Sequence, residues 1–397
     1  SLEFTLEPVF QSQSASFVQQ DRPSIVLLGT SPVTVLEAIR YKKLGYDVTI
    51  YEKAREIGGS WRVIDLPHFR EVPLGPHTID AYPFAYEALR DGLRLELEPA
   101  DGHWYRTPRA IMGHSRHDLK EGWLTRFYTP EQCAQLEELL EKRFEGQSYE
   151  RVMSAMKRHN NHKRSKLFDQ EQDNQGRELQ FPVGGTVALV DSLKALLQEN
   201  EVNVHCGVSV EDCPVVRDDG VEISLSDGTT RIVDQLVLNS RARFSMVRFG
   251  KAKFPLAFNE HQADMAWLVT DKQPIRPFRV ELRRYPPIWR LSHVSDEARS
   301  RDDSEASIFT IAGHRDTDLT KMSGEEIVSF LVDEEILEPA TRCLYYSART
   351  SREDWISLDL AEQLEKRSKG KLVYLYTHNL GRALSQRADA WKQAGVW

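Results

Sequence analysis

Residues 24–61 read SIVLLGTSPVTVLEAIRYKKLGYDVTIYEKAREIGGSW, and this stretch decides the fold class. Ile25–Leu28 is a short, continuously apolar run, as expected of a parallel strand buried on both faces. Val35, Leu36 and Ile39 then fall on one stripe of a helix, which Gly45 ends. A second strand, Asp47–Glu52, closes on an acid. In a dinucleotide-binding βαβ unit, an acid roughly 20 residues beyond the first glycine accepts the ribose hydroxyls. Here that spacing is 52 − 29 = 23, and the pair Gly58–Gly59 follows.

The glycine fingerprint of such a unit, G-x-G-x-x-G, is only partly present. Gly29 keeps the first position, where the turn is tight, while Ser31 and Thr34 stand at the second and third. The second glycine lets backbone approach a pyrophosphate and the third lets helix pack closely on strand. Ser31 adds a Cβ and a hydroxyl at the approach, and the β-branched Thr34 is expected to push the helix outward.

Composition sets wider bounds. The length of 397 residues suggests two or three domains, and 40% hydrophobic with 28% charged residues is ordinary for a globular chain. A net charge of −8 argues against a general nucleic-acid binder. No apolar run is long enough for a membrane span, and the first 20 residues, rich in Gln and Ser, lack the features of a signal peptide and read as a flexible lead. Cys133, Cys206, Cys213 and Cys343 have no C-x-x-C spacing, which fits reduced thiols and a cytoplasmic location.

Along the chain, 62–89 is loop-rich, with Pro67, Pro73, Pro76 and Pro83. Thr129–His159 reads as helices and the basic run 157–166 as a solvated connector. A glycine turn at 184–185 precedes an amphipathic helix with Leu189, Leu193, Leu196 and Leu197, then a strand over Val202–Val210. Asp227–Gly228 marks a β-hairpin, Gln235–Asn239 a buried strand, and 371–395 a strand–turn–helix unit. G-x-S-x-G, H-E-x-x-H and clustered metal ligands are missing, which removes the common hydrolase signatures.

This order resembles the FAD-dependent superfamily of flavin amine oxidases, protoporphyrinogen oxidases, phytoene desaturases and UDP-galactopyranose mutases. Five segments carry the resemblance: Gly29 to Trp61; Gly75-Pro76-His77; PVGGTVALVDSLKALL at 182–197; Tyr285-Pro286-Pro287-Ile288-Trp289-Arg290; and the terminal strand–helix unit with Thr377-His378. The resemblance implies that Glu52 binds the adenosine ribose and that Gly58 and Gly59 pass beside the flavin diphosphate. It further implies that Val210 or Val208 touches adenine and that His77 and Arg290 face the flavin ring. Where the family carries Gly-Asp near the ribityl phosphate, this chain has Thr377-His378.

These departures meet at one ligand, because Ser31, Thr34 and His378 all stand where the family touches the diphosphate or ribityl chain. Two explanations follow. Ser31 and His378 form a substitute phosphate site, or the fold is kept without flavin, as in the Rab GDP-dissociation inhibitors that resemble this superfamily. A plain NAD(P) dehydrogenase would use Gly29 and Glu52 equally well, but the Gly58–Gly59 pair belongs to FAD domains. A flavin monooxygenase would need a second intact glycine fingerprint.

The expected fold is α/β: a discontinuous FAD/NAD(P)-binding Rossmann-type domain from 21–95, 175–260 and 365–397, with a mixed α+β substrate or cap domain from 96–174 and 261–364. The expected function is an FAD-dependent oxidoreductase acting on a small organic substrate. A flavin-free binding protein and a non-redox flavin enzyme resembling UDP-galactopyranose mutase are the alternatives. The expected cofactor residues are Gly29, Ser31, Glu52, Gly58, Gly59, Val210 and His378, and the expected catalytic residues are His77 and Arg290. No metal, nucleic acid or membrane span is expected, and the sequence leaves the oligomeric state open.

Overall fold

The computed structural model describes residues 22–79, 82–99, 102–103, 110–111, 114–115, 180–239, 244–259, 262–275, 277–301, 305–314, 317–352 and 355–397. The N-terminal lead, the helices expected within Thr129–His159 and the basic run 157–166 lie outside the described residues.

Strand β1 (Ser24–Leu28) turns into helix α1 (Pro32–Lys43), and β2 (Asp47–Glu52) returns beside β1. A hairpin of β3 (Val63–Leu66) and β4 (Phe69–Pro73) follows. Further on come helix α2 (Gly185–Glu199), β5 (Asn203–Cys206) and β6 (Gln235–Asn239). Next are β7 (Gln262–Thr270), β8 (Val280–Tyr285), β9 (Ile288–His293) and β10 (Ser307–Gly313). The chain closes with α3 (Gly324–Asp333), β11 (Cys343–Arg352), α4 (Leu358–Arg367), β12 (Leu372–Leu375) and α5 (Leu380–Gln393).

Five of these strands make a parallel sheet in the order β5-β2-β1-β6-β12. Counted along the chain, that order is 3-2-1-4-5, the doubly wound arrangement, and the winding reverses between β1 and β6. Open α/β sheets bind ligands at the carboxyl ends of the strands beside such a reversal. Here Asn239 Nδ2 bridges it, donating to Leu28 O at 2.7 Å.

Alternation along the strands divides the core. Ile25, Leu27, Val48, Ile50 and Val237 face the helices α1, α2 and α5. Val26, Tyr51, Leu236 and Leu238 face the opposite side, with Val221, Ile223, Val247 and Leu364. In α1, Val35, Leu36 and Ile39 are fully buried, each contributing about 1.5–3 kcal/mol of burial free energy. Gly45 ends the helix at φ +88°, as its sequence position implied.

Three local expectations change. The strand expected over Val202–Val210 stops at Cys206, because Gly207 turns out at φ +75° and its N–H goes to Ala54 O at 2.8 Å. The loop-rich 62–89 contains the β3–β4 hairpin; Pro67 sits in its turn and Pro73 ends its second strand, places where a missing N–H does no harm. The hairpin around Asp227–Gly228 pairs Val221–Ser224 with Thr230–Val233 as expected, but it belongs to a separate five-stranded sheet.

The other large sheet runs β11-β7-β10-β9-β8, with Gly102–His103 at its far edge. One face carries Ala266, Leu268, Phe309, Ile311 and Leu291 against Ile327 and Leu331 of α3. The opposite face carries Trp267, Val269 and Ile308 against Phe69 and Val72 of the hairpin. An irregularity in β9 between Ile288 and Arg290 puts Ile288 and Leu291 on the helix side and frees Arg290 for the other face.

Candidate functional site

The turn after β1 is held by its own side chains. Glu52, 5% exposed, accepts from Thr30 N–H at 2.8 Å and Thr30 Oγ1 at 2.6 Å through one oxygen, and from Ala54 N–H at 2.8 Å through the other. Thr30 Oγ1 in turn accepts the Gly58 N–H at 2.9 Å. The acid that ends β2 is therefore engaged three times within the protein, out of about four lone-pair sites on a carboxylate.

A diphosphate on this turn would need backbone donors at the start of α1. Gly29 N–H goes to Tyr51 O at 2.8 Å, and Thr30 N–H goes to Glu52. Pro32 has no N–H. Ser31 is the N-cap, its hydroxyl taking the Thr34 N–H at 3.2 Å and lying 2.8 Å from Thr34 Oγ1. Within 29–34 only the N–H groups of Ser31 and Val33 are left, and Val33 is 1% exposed. Gly59 packs beside Ser31: a methyl group on Gly59 would stand 3.4 Å from the Ser31 nitrogen. With these donors engaged within the protein, the residues present do not fit the diphosphate of FAD.

The remaining expected cofactor residues lie around the same sheet edge. Gly58, at φ +126°, must be glycine because a Cβ would stand 2.9 Å from Arg62 N. Val208, rather than Val210, touches the end of β2, its N–H donating to Glu52 O at 3.2 Å. Val210 bridges to Leu225 beside the hairpin sheet. His378 directly precedes Asn379, the N-cap of α5, beyond the carboxyl end of β12.

His77 and Arg290 are brought to one loop. The His77 ring stacks on Trp61, centroids 4.2 Å apart. Arg290 Nη1 donates to Thr78 Oγ1 at 3.0 Å, one residue further along. Beneath this loop is a small cavity with room for about one water molecule. His77, Ser292, Thr186, Arg279 and Glu297 line it. Glu297 accepts from Thr186 N–H at 3.0 Å, near the start of α2, and from Arg279 Nη1 at 2.9 Å. Burial pushes the Glu297 carboxyl above its ordinary range, against the pull of those donors. Ser292, 2% exposed, has no hydrogen-bond partner for its hydroxyl.

Two arginines escaped the sequence reading. Arg349 lies in β11 and stacks over Trp267, guanidinium carbon 5.1 Å from the ring centroid. Arg62 follows the short helical turn Gly59–Trp61 and donates to Gly59 O at 2.9 Å. Arg349, Met265, Ala312 and Arg290 stand in one row across β11, β7, β10 and β9. The two arginines of that row are roughly 14 Å apart at three strand spacings. Met265 of the row lies against Gly75, where a methyl group would run into its Cε.

No protein-family model and no curated protein sequence matches this chain. Solved structures do resemble it over nearly its whole length. A reduced UDP-galactopyranose mutase is similar at TM-score 0.63 and 14% identity, covering 94% of this chain and 93% of the other. A putative protoporphyrinogen oxidase from Exiguobacterium is similar at TM-score 0.54 and 13% identity, covering 94% and 98%. A Rab GDI from Plasmodium falciparum is similar at TM-score 0.52 and 12% identity, covering 94% and 97%. The chain thus shares the α/β fold of these solved structures, and at these identities the likeness concerns fold alone.

Proposed function

We propose that this chain is a non-redox binding protein built on a flavoenzyme fold. Its ligand is a small organic molecule, bound elsewhere than along the β1 turn. The observation that carries this reading is the occupation of the turn: Thr30 and Ala54 engage Glu52, and Ser31 caps α1 with Thr34. A fold that normally holds a dinucleotide there has spent those donors on itself. A Rab GDI is among the structures that share this fold, and the sequence resemblance gives that group as the case in which the fold is kept without flavin.

One observation favours a second reading, an FAD-dependent oxidoreductase acting on a small organic substrate. The Arg290–Thr78 hydrogen bond puts a guanidinium beside the loop of His77, as both family counterparts would require. Titration of the full chain into FAD, followed by quenching of flavin fluorescence, separates the two. The first reading expects no saturable quenching; saturable quenching establishes the second. A cytoplasmic location completes the proposal and rests on the cysteine spacing alone.

A further inference from the structure

We propose that Arg62 and Arg349 together grip the phosphate group of a phosphorylated small molecule. This deepens the reading of a small-molecule ligand bound away from the β1 turn, and names its class.

The two side chains are joined by an unbroken line of contacts. Arg62 precedes Val63, which pairs with Pro73 across the β3–β4 hairpin. The Pro73 carbonyl accepts the Trp267 Nε1–H at 3.1 Å. The Trp267 ring carries the Arg349 guanidinium on its face. The Trp267 ring holds the Arg349 guanidinium by a cation–π contact, and the Gly59 carbonyl holds that of Arg62 by a hydrogen bond. Both are therefore preorganised, which lowers the entropy lost on binding.

Charge makes the pair unusual. Arg279, Arg299, Arg301 and Arg342 on or near the same sheet each have a carboxylate within ion-pair distance. Among the described residues, no carboxylate pairs with Arg62 or Arg349. Instead each lies within electrostatic reach of the other: partial burial and the Arg62 charge both push the Arg349 pKa down. Two like charges held together without a counter-ion are a standing cost that a ligand can remove. A phosphate monoester supplies close to two negative charges and oxygens that suit forked N–H donors. A carboxylate supplies one charge and leaves the second arginine unsatisfied. Arg349 is exposed on an edge strand, so a ligand can reach it.

The test is calorimetric titration of the full chain at low salt, with phenyl phosphate as probe and benzoate as its carboxylate counterpart. Phenyl phosphate should bind saturably and more tightly than benzoate. Arg349→Gln and Arg62→Gln should each weaken it by about tenfold or more, as expected for one lost charge-assisted pair. Arg349→Lys, which keeps the charge and loses the fork, should fall between. Arg342→Gln, in an exposed pair with Asp271, should bind like the wild type and shows that net charge alone is not responsible. Failure of phenyl phosphate to bind overturns the proposal, as does binding that Arg349→Gln and Arg62→Gln leave unchanged while thermal melts show both folded. FAD quenching alongside an arginine-dependent phenyl phosphate response overturns the flavin-free reading and leaves the arginine pair supported.

Discussion

Thr30 and Glu52 are joined twice through a single oxygen: Glu52 Oε2 accepts the Thr30 N–H at 2.8 Å and the Thr30 hydroxyl at 2.6 Å. With the Gly58 N–H donating to that same hydroxyl, the β1 turn, the end of β2 and the glycine pair become one closed network. Thr30→Val keeps the shape and removes the hydroxyl, leaving Gly58 without its acceptor. Stability should fall by about 1–3 kcal/mol, the cost of a buried group left unmade. Urea unfolding followed by circular dichroism measures it, and an unchanged midpoint contradicts the network.

Ser31 caps α1, so Ser31→Ala should lower stability by about 1 kcal/mol with no ligand present. Ser31→Gly should cost only a few tenths. If the hydroxyl served a ligand instead of the helix, ligand-free melts of Ser31→Ala and wild type would coincide.

Gly185 and Gly45 separate backbone strain from crowding. Both have positive φ, +70° and +88°, so an alanine at either meets the same backbone penalty, about 1–2 kcal/mol. At Gly45 a methyl group enters open space, whereas at Gly185 it collides with the Glu297 carboxylate. Gly185→Ala should therefore cost about 1–3 kcal/mol more than Gly45→Ala, through the Thr186 and Arg279 donors it disengages. Equal midpoints in denaturant would mean that Glu297 is not holding the start of α2.

His293 makes stability pH-dependent. Burial lowers its pKa from 6.5 to about 4, the nearby Asp296 charge only partly opposing this. Between those values the unfolded chain binds the proton and the folded chain does not. The stabilisation is complete above pH 6.5 and is lost as pH falls toward 4, by at most about 3 kcal/mol. His293→Phe, which keeps a ring beside Phe278 and Phe309, should flatten this part of the profile. Denaturant midpoints at several pH values check it; parallel profiles for the two proteins would assign the loss elsewhere.

Much of the fold was legible because its signals are local. The apolar run Ile25–Leu28, the helix stripe of Val35, Leu36 and Ile39, and the acid at Glu52 each declare themselves within a few residues. The parallel sheet carries all of them in the expected sense. What stayed hidden depends on pairing across long separations. Nothing around Arg349 marks it, because its partner Trp267 comes from another strand and its row follows from the register of β7 and β11. Gly58 and Gly185 could be read as family glycines, but their contacts with Arg62 and Glu297 arise only once distant segments meet. Thr30 stands at a position the fingerprint leaves variable, yet its hydroxyl decides how Glu52 is used.

The absorption spectrum of the freshly purified full chain, followed by denaturation and flavin fluorescence of the released solution, tests the central claim most directly. A protein whose β1 turn is filled by Thr30, Ser31 and Thr34 should show no flavin band and release no flavin. A stoichiometric flavin band in the folded protein, with free flavin recovered on unfolding, would contradict the account.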